Sequence, residues 1–342
     1  MSSEDLDGEQ SRRGGVGCSI LGCLVVLALL GAAGGGLAYL LTKPLPTVSS
    51  NGARIVRYQY MGPVHALQLE AGQLRVISAR GSVYGETATG LKRLTINGGV
   101  LDPYAPTYVG GGDLIALVGN TQELQVTVVG GPGSRRSPLP PGPLVIATAS
   151  DGGAFALLSE DGSVQVRRGE VELSRLPAQA GRTLLAFQAQ RLLIGGEGSV
   201  EVYDETGALS QRLSSDSPYR VTALGVSPEG RWAAVARSDE RITIWNLETG
   251  ARVAEFTGGD DFDLVALAFS PDGESVAAGS ARGLVQVWGR DGTELLHVPL
   301  DRGELSDSDL PGRVRGLAFD QTRLMWAIED RVYEYALSYS PN

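Results

Sequence analysis

The residues that could do chemistry are few. His65 and His297 are the only histidines in 342 residues, and Cys18 and Cys23 are the only cysteines. A hydroxyl–imidazole–carboxylate arrangement would need one of these histidines at a converging site. His65 opens one apolar segment and His297 sits in another far downstream, so each reads as a strand histidine without catalytic duty. Two histidines cannot supply a His-rich metal set, and with both cysteines near the amino terminus the rest of the chain has no thiol, disulfide or thiolate zinc site. Asp307-Ser308-Asp309 starts like a calcium loop, but Pro311 stands where a ligand belongs and no glutamate closes it. Gly110-Gly111-Gly112 and Gly195-Gly196 are followed by no helical pattern, so they read as turn glycines and not as a phosphate cradle. The expectation is no catalytic residue, no cofactor and no metal.

Carboxylates are the abundant charged group: 39 against 29 Lys and Arg, for a net charge of −10. That balance argues against general nucleic-acid binding, which needs cations to displace phosphate counterions. Asp216, Asp260, Asp261, Asp263, Glu304, Asp307 and Asp309 all fall in connections between successive apolar repeats. If each repeat runs from an inner to an outer strand, those connections emerge on one face. They form either a solvated rim or a docking surface for a basic protein partner.

A repeat must position all of these groups. VTALGVSPEGRWAAVARSDERITIW runs from Val221 to Trp245, and VALAFSPDGESVAAGSARGLVQVW from Val265 to Trp288. In the second copy VALAF is an apolar strand, and Ser270-Pro271-Asp272-Gly273 suits a tight turn, Pro fixing φ and Gly closing it. SVAAGS is a small-residue strand, LVQVW a third and ELLHVPL an outer fourth. The third strands begin their apolar pattern at Val83, Leu124, Val164, Val200, Ile242, Val285 and Val332, 36 to 47 residues apart. A period of about 40–45 residues belongs to a four-stranded propeller blade. Seven such marks predict seven blades. The last copy supplies three strands, and ARIVRYQY, Ala53 to Tyr60, is available as its outer strand, closing the ring and hiding two free edges.

FSPDG, the small strand, a V-x-V-W strand and an ETG or DGT turn together resemble WD-repeat β-propellers. The likeness is good over Val221 to Leu300 and weaker, but in register, over Val64 to Arg220. It implies an all-β, seven-bladed propeller over residues 53–337, with a short tail at 338–342, acting as a non-catalytic protein-interaction platform. The chain also departs from that family. The Trp-Asp pair is Trp245-Asn246 and Trp288-Gly289, and the Gly-His pair is Gly258-Gly259. Most of the His–Asp–Ser/Thr–Trp network that often locks WD blades therefore cannot form. Trp232, Trp245, Trp288 and Trp326 are expected to pack the last three blades. Asp204-Glu205-Thr206-Gly207 is similar to a turn of quinoprotein-like propellers, which would imply an envelope-assembly role or a small ligand in the central channel.

Ahead of the repeats, residues 1–16 are polar, and 17–41 are almost wholly apolar. A helix needs about 20 apolar residues to span a bilayer, so 17–41 is expected to be a single transmembrane helix, followed by a linker at 42–52. Cleavage as a secretory signal is the alternative, but the apolar run is long for that. Arg12 and Arg13 abut its start and favour a cytoplasmic amino terminus, with the propeller outside or periplasmic. Ala28, Ala32 and Gly36, beside Gly31 and Gly35, form small-residue rows that could pair two helices into a homodimer. Only Lys43 and Lys92 are lysines among the 29 basic residues, a bias that points to a GC-rich, bacterial genome.

Overall fold

The computed structural model describes residues 54–56, 63–70, 73–78, 82–87, 90–93, 114–118, 123–128, 134–138, 145–148, 154–168, 171–214, 218–258, 263–298 and 312–337. The expected polar tail, transmembrane helix, linker and carboxy-terminal tail lie outside them. Among the described residues no helix is long and apolar enough to cross a membrane.

These residues form antiparallel sheets in which strands consecutive in sequence pair, the ring-closing first strand excepted. The blade of Val221–Val226, Trp232–Arg237, Arg241–Asn246 and Arg252–Thr257 is typical. Its inner strand alternates buried and half-buried positions, its second strand is buried throughout, and its outer strand is largely exposed. A second strand covered on both faces needs small and apolar residues without alternation, which explains Ala233-Ala234-Val235-Ala236 here and Val276-Ala277-Ala278 in the next blade. The turns follow their residues. Gly230 and Gly273, at φ +72° and +70°, return their N–H to Ser227 and Ser270 carbonyls at 2.8 and 2.9 Å. The serine hydroxyls accept the Trp232 and Ser275 N–H groups at 2.9 Å.

All seven predicted third-strand marks lie in strands, but the blade count is corrected. Among the described residues six sheets have four strands, not seven; Leu114–Val118, Glu123–Val128 and Ser134–Pro138 form a three-stranded sheet. The residues ahead of Leu114 that would supply its remaining strand, 94–113, lie outside the described residues.

Ring closure takes the expected route. Arg54–Val56, within the expected segment Ala53 to Tyr60, pairs with Arg331–Ala336, in the register Arg54 with Glu334 and Val56 with Val332. That blade also packs on the first one. Val64, Leu74 and Val76 share a core with Met325, Ala327 and Val332, and the Val64 N–H donates to the Glu329 carbonyl. The tryptophans pack blades as expected: Trp232 and Trp288 lie in one core with Phe269 and Val276, Trp245 in a second, and Trp326 in a third.

Candidate functional site

Five inner strands share one irregularity. Their register with the second strand slips at the second residue, leaving His65, Thr183, Thr222, Val265 and Arg315 as extra residues. A bulge at the same place in blade after blade re-aims these side chains together at one end of the inner strands. Burial pulls the pKa of His65 down, and the charge of Arg315 adds to that.

Beside three of these bulges lies a cavity of about 390 Å³, lined among others by Arg220, Thr222, Arg237, Glu240, Asp263 and Arg313. Arg237 is 1% exposed, at the end of a second strand opposite Val221. Its Nη1 donates to Thr243 Oγ1 at 3.2 Å, while Nε and Nη2 have no hydrogen-bond partner. Burial lowers its pKa, against the charges of Asp239 and Glu255, which raise it. The buried Thr222 hydroxyl is also unpartnered. In the same blade Trp245 Nε1 and Asp239 Oδ1 lack partners, as expected where Gly259 stands in place of a histidine.

Two other arginines join blades. Arg182 donates to Glu201, to the Tyr203 hydroxyl, and to the Gly162 and Pro177 carbonyls of the preceding blade. Arg290 lies 4.2 Å from the centroid of the Trp232 ring, linking two further blades.

The predicted docking residues are only sparsely placed. Asp263 is described: it is exposed, its carbonyl accepts the Ala281 N–H at 2.7 Å, and it faces the arginine-lined cavity. Asp216, Asp260, Asp261, Glu304, Asp307 and Asp309 lie outside the described residues, as do the helix-pairing positions Ala28, Gly31, Ala32, Gly35 and Gly36. His297 is on an outer strand, its Nδ1 2.7 Å from Gln286 Nε2, on a different blade from His65. Asp204-Glu205-Thr206-Gly207 is a hairpin turn: Asp204 Oδ1 accepts from the Thr206 and Ala208 N–H groups, and Gly207 sits at φ +83°. Among the described residues no group of three or more His, Cys, Asp and Glu is arranged to hold a metal. Sequence reasoning missed Arg220, Arg237 and Arg313. One signal was present: WAAVAR ends in arginine where the equivalent SVAAGS ends in serine.

Two stretches, residues 208–246 and 250–289, match the family model described as WD domain, G-beta repeat. Each spans the outer strand of one blade and the first three strands of the next, so one sequence repeat ties two blades together. No curated protein matches the chain. The chain thus carries WD-type repeats in an all-β propeller of four-stranded blades, an architecture that generally serves as a non-catalytic platform for protein partners.

Proposed function

We propose that this protein is a membrane-tethered propeller that works as a non-catalytic docking platform for a basic protein partner. The observation that carries the reading is the match of residues 208–246 and 250–289 to WD-type repeats within antiparallel four-stranded blades. Residues 17–41 supply the tether as a single membrane-spanning helix, with the propeller on the outer or periplasmic side. The inter-blade carboxylates Asp216, Asp260, Asp261, Asp263, Glu304, Asp307 and Asp309 supply the docking charge. Pairing of helices through Gly31 and Gly35 would set two propellers side by side and raise avidity.

The test is crosslinking and co-purification of the full chain from membranes of its own host, with protease accessibility on intact cells. Reversing Asp260, Asp261 and Asp263 to Lys should reduce partner recovery, and added salt should do the same. Unchanged recovery returns these residues to a solvated rim. A full chain released from membranes by alkaline carbonate refutes the tether.

A further inference from the structure

Four of the six large apolar side chains exposed among the described residues lie within the first three positions of outer strands on three consecutive blades. They are Val171 and Leu173 in Val171–Leu176, Leu209 in Leu209–Ser214, and Val253 in Arg252–Thr257. The three strands are stitched into one rim. Ser174 Oγ donates to the Glu205 carbonyl of the next blade at 3.2 Å, and Gln211 Nε2 donates to the Leu247 carbonyl of the following one at 2.8 Å. Each outer strand slips by one residue against its third strand, leaving Leu173, Ser210 and Val253 as extra residues. An extra residue has no cross-strand neighbour to cover it. Ser210 shows that a polar residue serves at this place, so the fold does not call for an exposed leucine or valine there.

The charges beside this rim cancel. Arg175 pairs with Glu172 at 2.7 Å, Arg168 with Glu205 at 2.9 Å and Arg252 with Glu255 at 3.0 Å. A chain of net charge −10 repels its own copies in most orientations, and a two-fold interface sets a patch against itself. On a neutral apolar rim two copies meet without opposing like charges, whereas a basic partner gains nothing there. The order Val171-Glu172-Leu173-Ser174-Arg175-Leu176 is also complementary to itself. A two-fold axis beside Leu173 runs two copies of this strand antiparallel and sets each Glu172 against the other copy's Arg175. The bulge bends the strand and blunts ladder extension, so side chains make the contact and no strand is added.

We propose that this rim is the interface of a homodimer, with Val171 and Leu173 at its centre and Leu209 and Val253 at its margin. Glu172 and Arg175 fix how the two copies align. Val171, 63% exposed in the single chain, is the residue with most to gain from cover. This reading rests neither on the docking platform nor on helix pairing, and it survives if either fails.

The experiment is sedimentation equilibrium of the full chain in density-matched detergent, with thermal unfolding as the check on folding. Gly31→Leu with Gly35→Leu removes helix pairing, and the chain should still dimerise in that background. Adding Val171→Lys with Leu173→Lys should weaken dimerisation at least about tenfold at an unchanged melting temperature, since both side chains are exposed in the single chain. Glu172→Arg alone and Arg175→Glu alone should each weaken it, because like charges then oppose across the axis. An equimolar mixture of those two variants should recover dimers, because every charge then meets its opposite. If the lysine variant melts lower than its parent, the charge-swap mixture decides. The proposal is overturned by a chain that stays monomeric up to about 100 µM, or by a dimer that the helix substitutions abolish. It is also overturned by a dimer unchanged in the lysine variant, or by a mixture that associates no better than its components. Loss of a different co-purifying protein from the lysine variant, with self-association unchanged, assigns the rim to that protein and overturns the homodimer.

Discussion

Arg182 Nη2 donates to Glu201 Oε2 at 2.8 Å, with only 5% and 6% of the two side chains exposed. The same carboxylate oxygen accepts the Tyr203 hydroxyl at 3.0 Å, and Oε1 faces Arg212 at 3.2 Å. Because Arg182 also holds two carbonyls of the preceding blade, this ion pair is a latch between blades. Burial alone would raise the Glu201 pKa, but hydrogen bonds from Arg182 and Tyr203 and the Arg182 charge outweigh it and bring the pKa below 4.5.

Glu201→Gln leaves a buried guanidinium without its counter-charge and should cost about 3 kcal/mol, measured by chemical unfolding. The pH dependence has a definite sign. A carboxylate whose folded pKa is depressed stabilises fully above its unfolded value and loses that contribution as pH falls through the folded one. Wild type should therefore lose stability below about pH 4.5 more steeply than Glu201→Gln. Parallel curves would show that the pair contributes nothing to the acid transition.

Gly279 and Val314 mark a close approach between the last two blades. A Cβ on Gly279 would lie 2.6 Å from Val314 Cγ1. Gly279→Ala should destabilise by about 2 kcal/mol through overpacking. Val314→Ala makes room, so the double variant should be more stable than the sum of the single effects predicts, by at least about 0.5 kcal/mol. Strict additivity in a double-mutant cycle would place the strain elsewhere.

Trp232 is 9% exposed, with Arg290 and Arg231 4.2 and 5.2 Å from its ring centroid. Arg290→Ala removes the nearer cation and its bond to the Gly273 carbonyl, and should cost about 1 kcal/mol. It should also open the indole to water. A red shift in the emission that is lost in an Arg290→Ala, Trp232→Phe double variant would assign the change to this ring. No shift would mean that neighbouring apolar groups shield it.

Ring closure is carried by backbone pairing of Arg54–Val56 and by a charged tie in which Arg323 Nη1 reaches both Glu86 oxygens at 3.0 and 3.2 Å. Deleting residues 53–60 exposes the edge of Arg331–Ala336. It should lower the melting temperature by several degrees and promote concentration-dependent association, seen by sedimentation. Glu86→Ala should cost under about 1 kcal/mol, since that carboxylate is solvent-accessible. A deletion that leaves melting and sedimentation unchanged would show that the ring does not depend on its first strand.

The strands and turns were legible because their causes are local. Val-x-Val alternation, SPDG and SPEG turns and all-small second strands each reflect a few neighbouring residues, and their recurrence set the blade frame from Val64 to Ala336. The closing strand was legible too, because a last copy with three strands leaves one edge to cover. The count of complete blades was not: a mark such as Leu124 identifies a third strand but says nothing of how many strands pair around it.

The sequence by itself determined an all-β repeat chain, its turn chemistry and its acidic balance, since each follows from residue type and short spacing. Only the tertiary structure decided which residues share a space. Strand pairing and blade packing put Thr222, Arg237 and Arg313 on one cavity wall across 91 residues of chain, a distance no local pattern spans. The same packing buries Arg237 with its Nε and Nη2 lacking hydrogen-bond partners, while Asp239 and Glu255 supply negative charge nearby. Burial and hydrogen-bond satisfaction are properties of all the neighbours at once, and no single residue type discloses them.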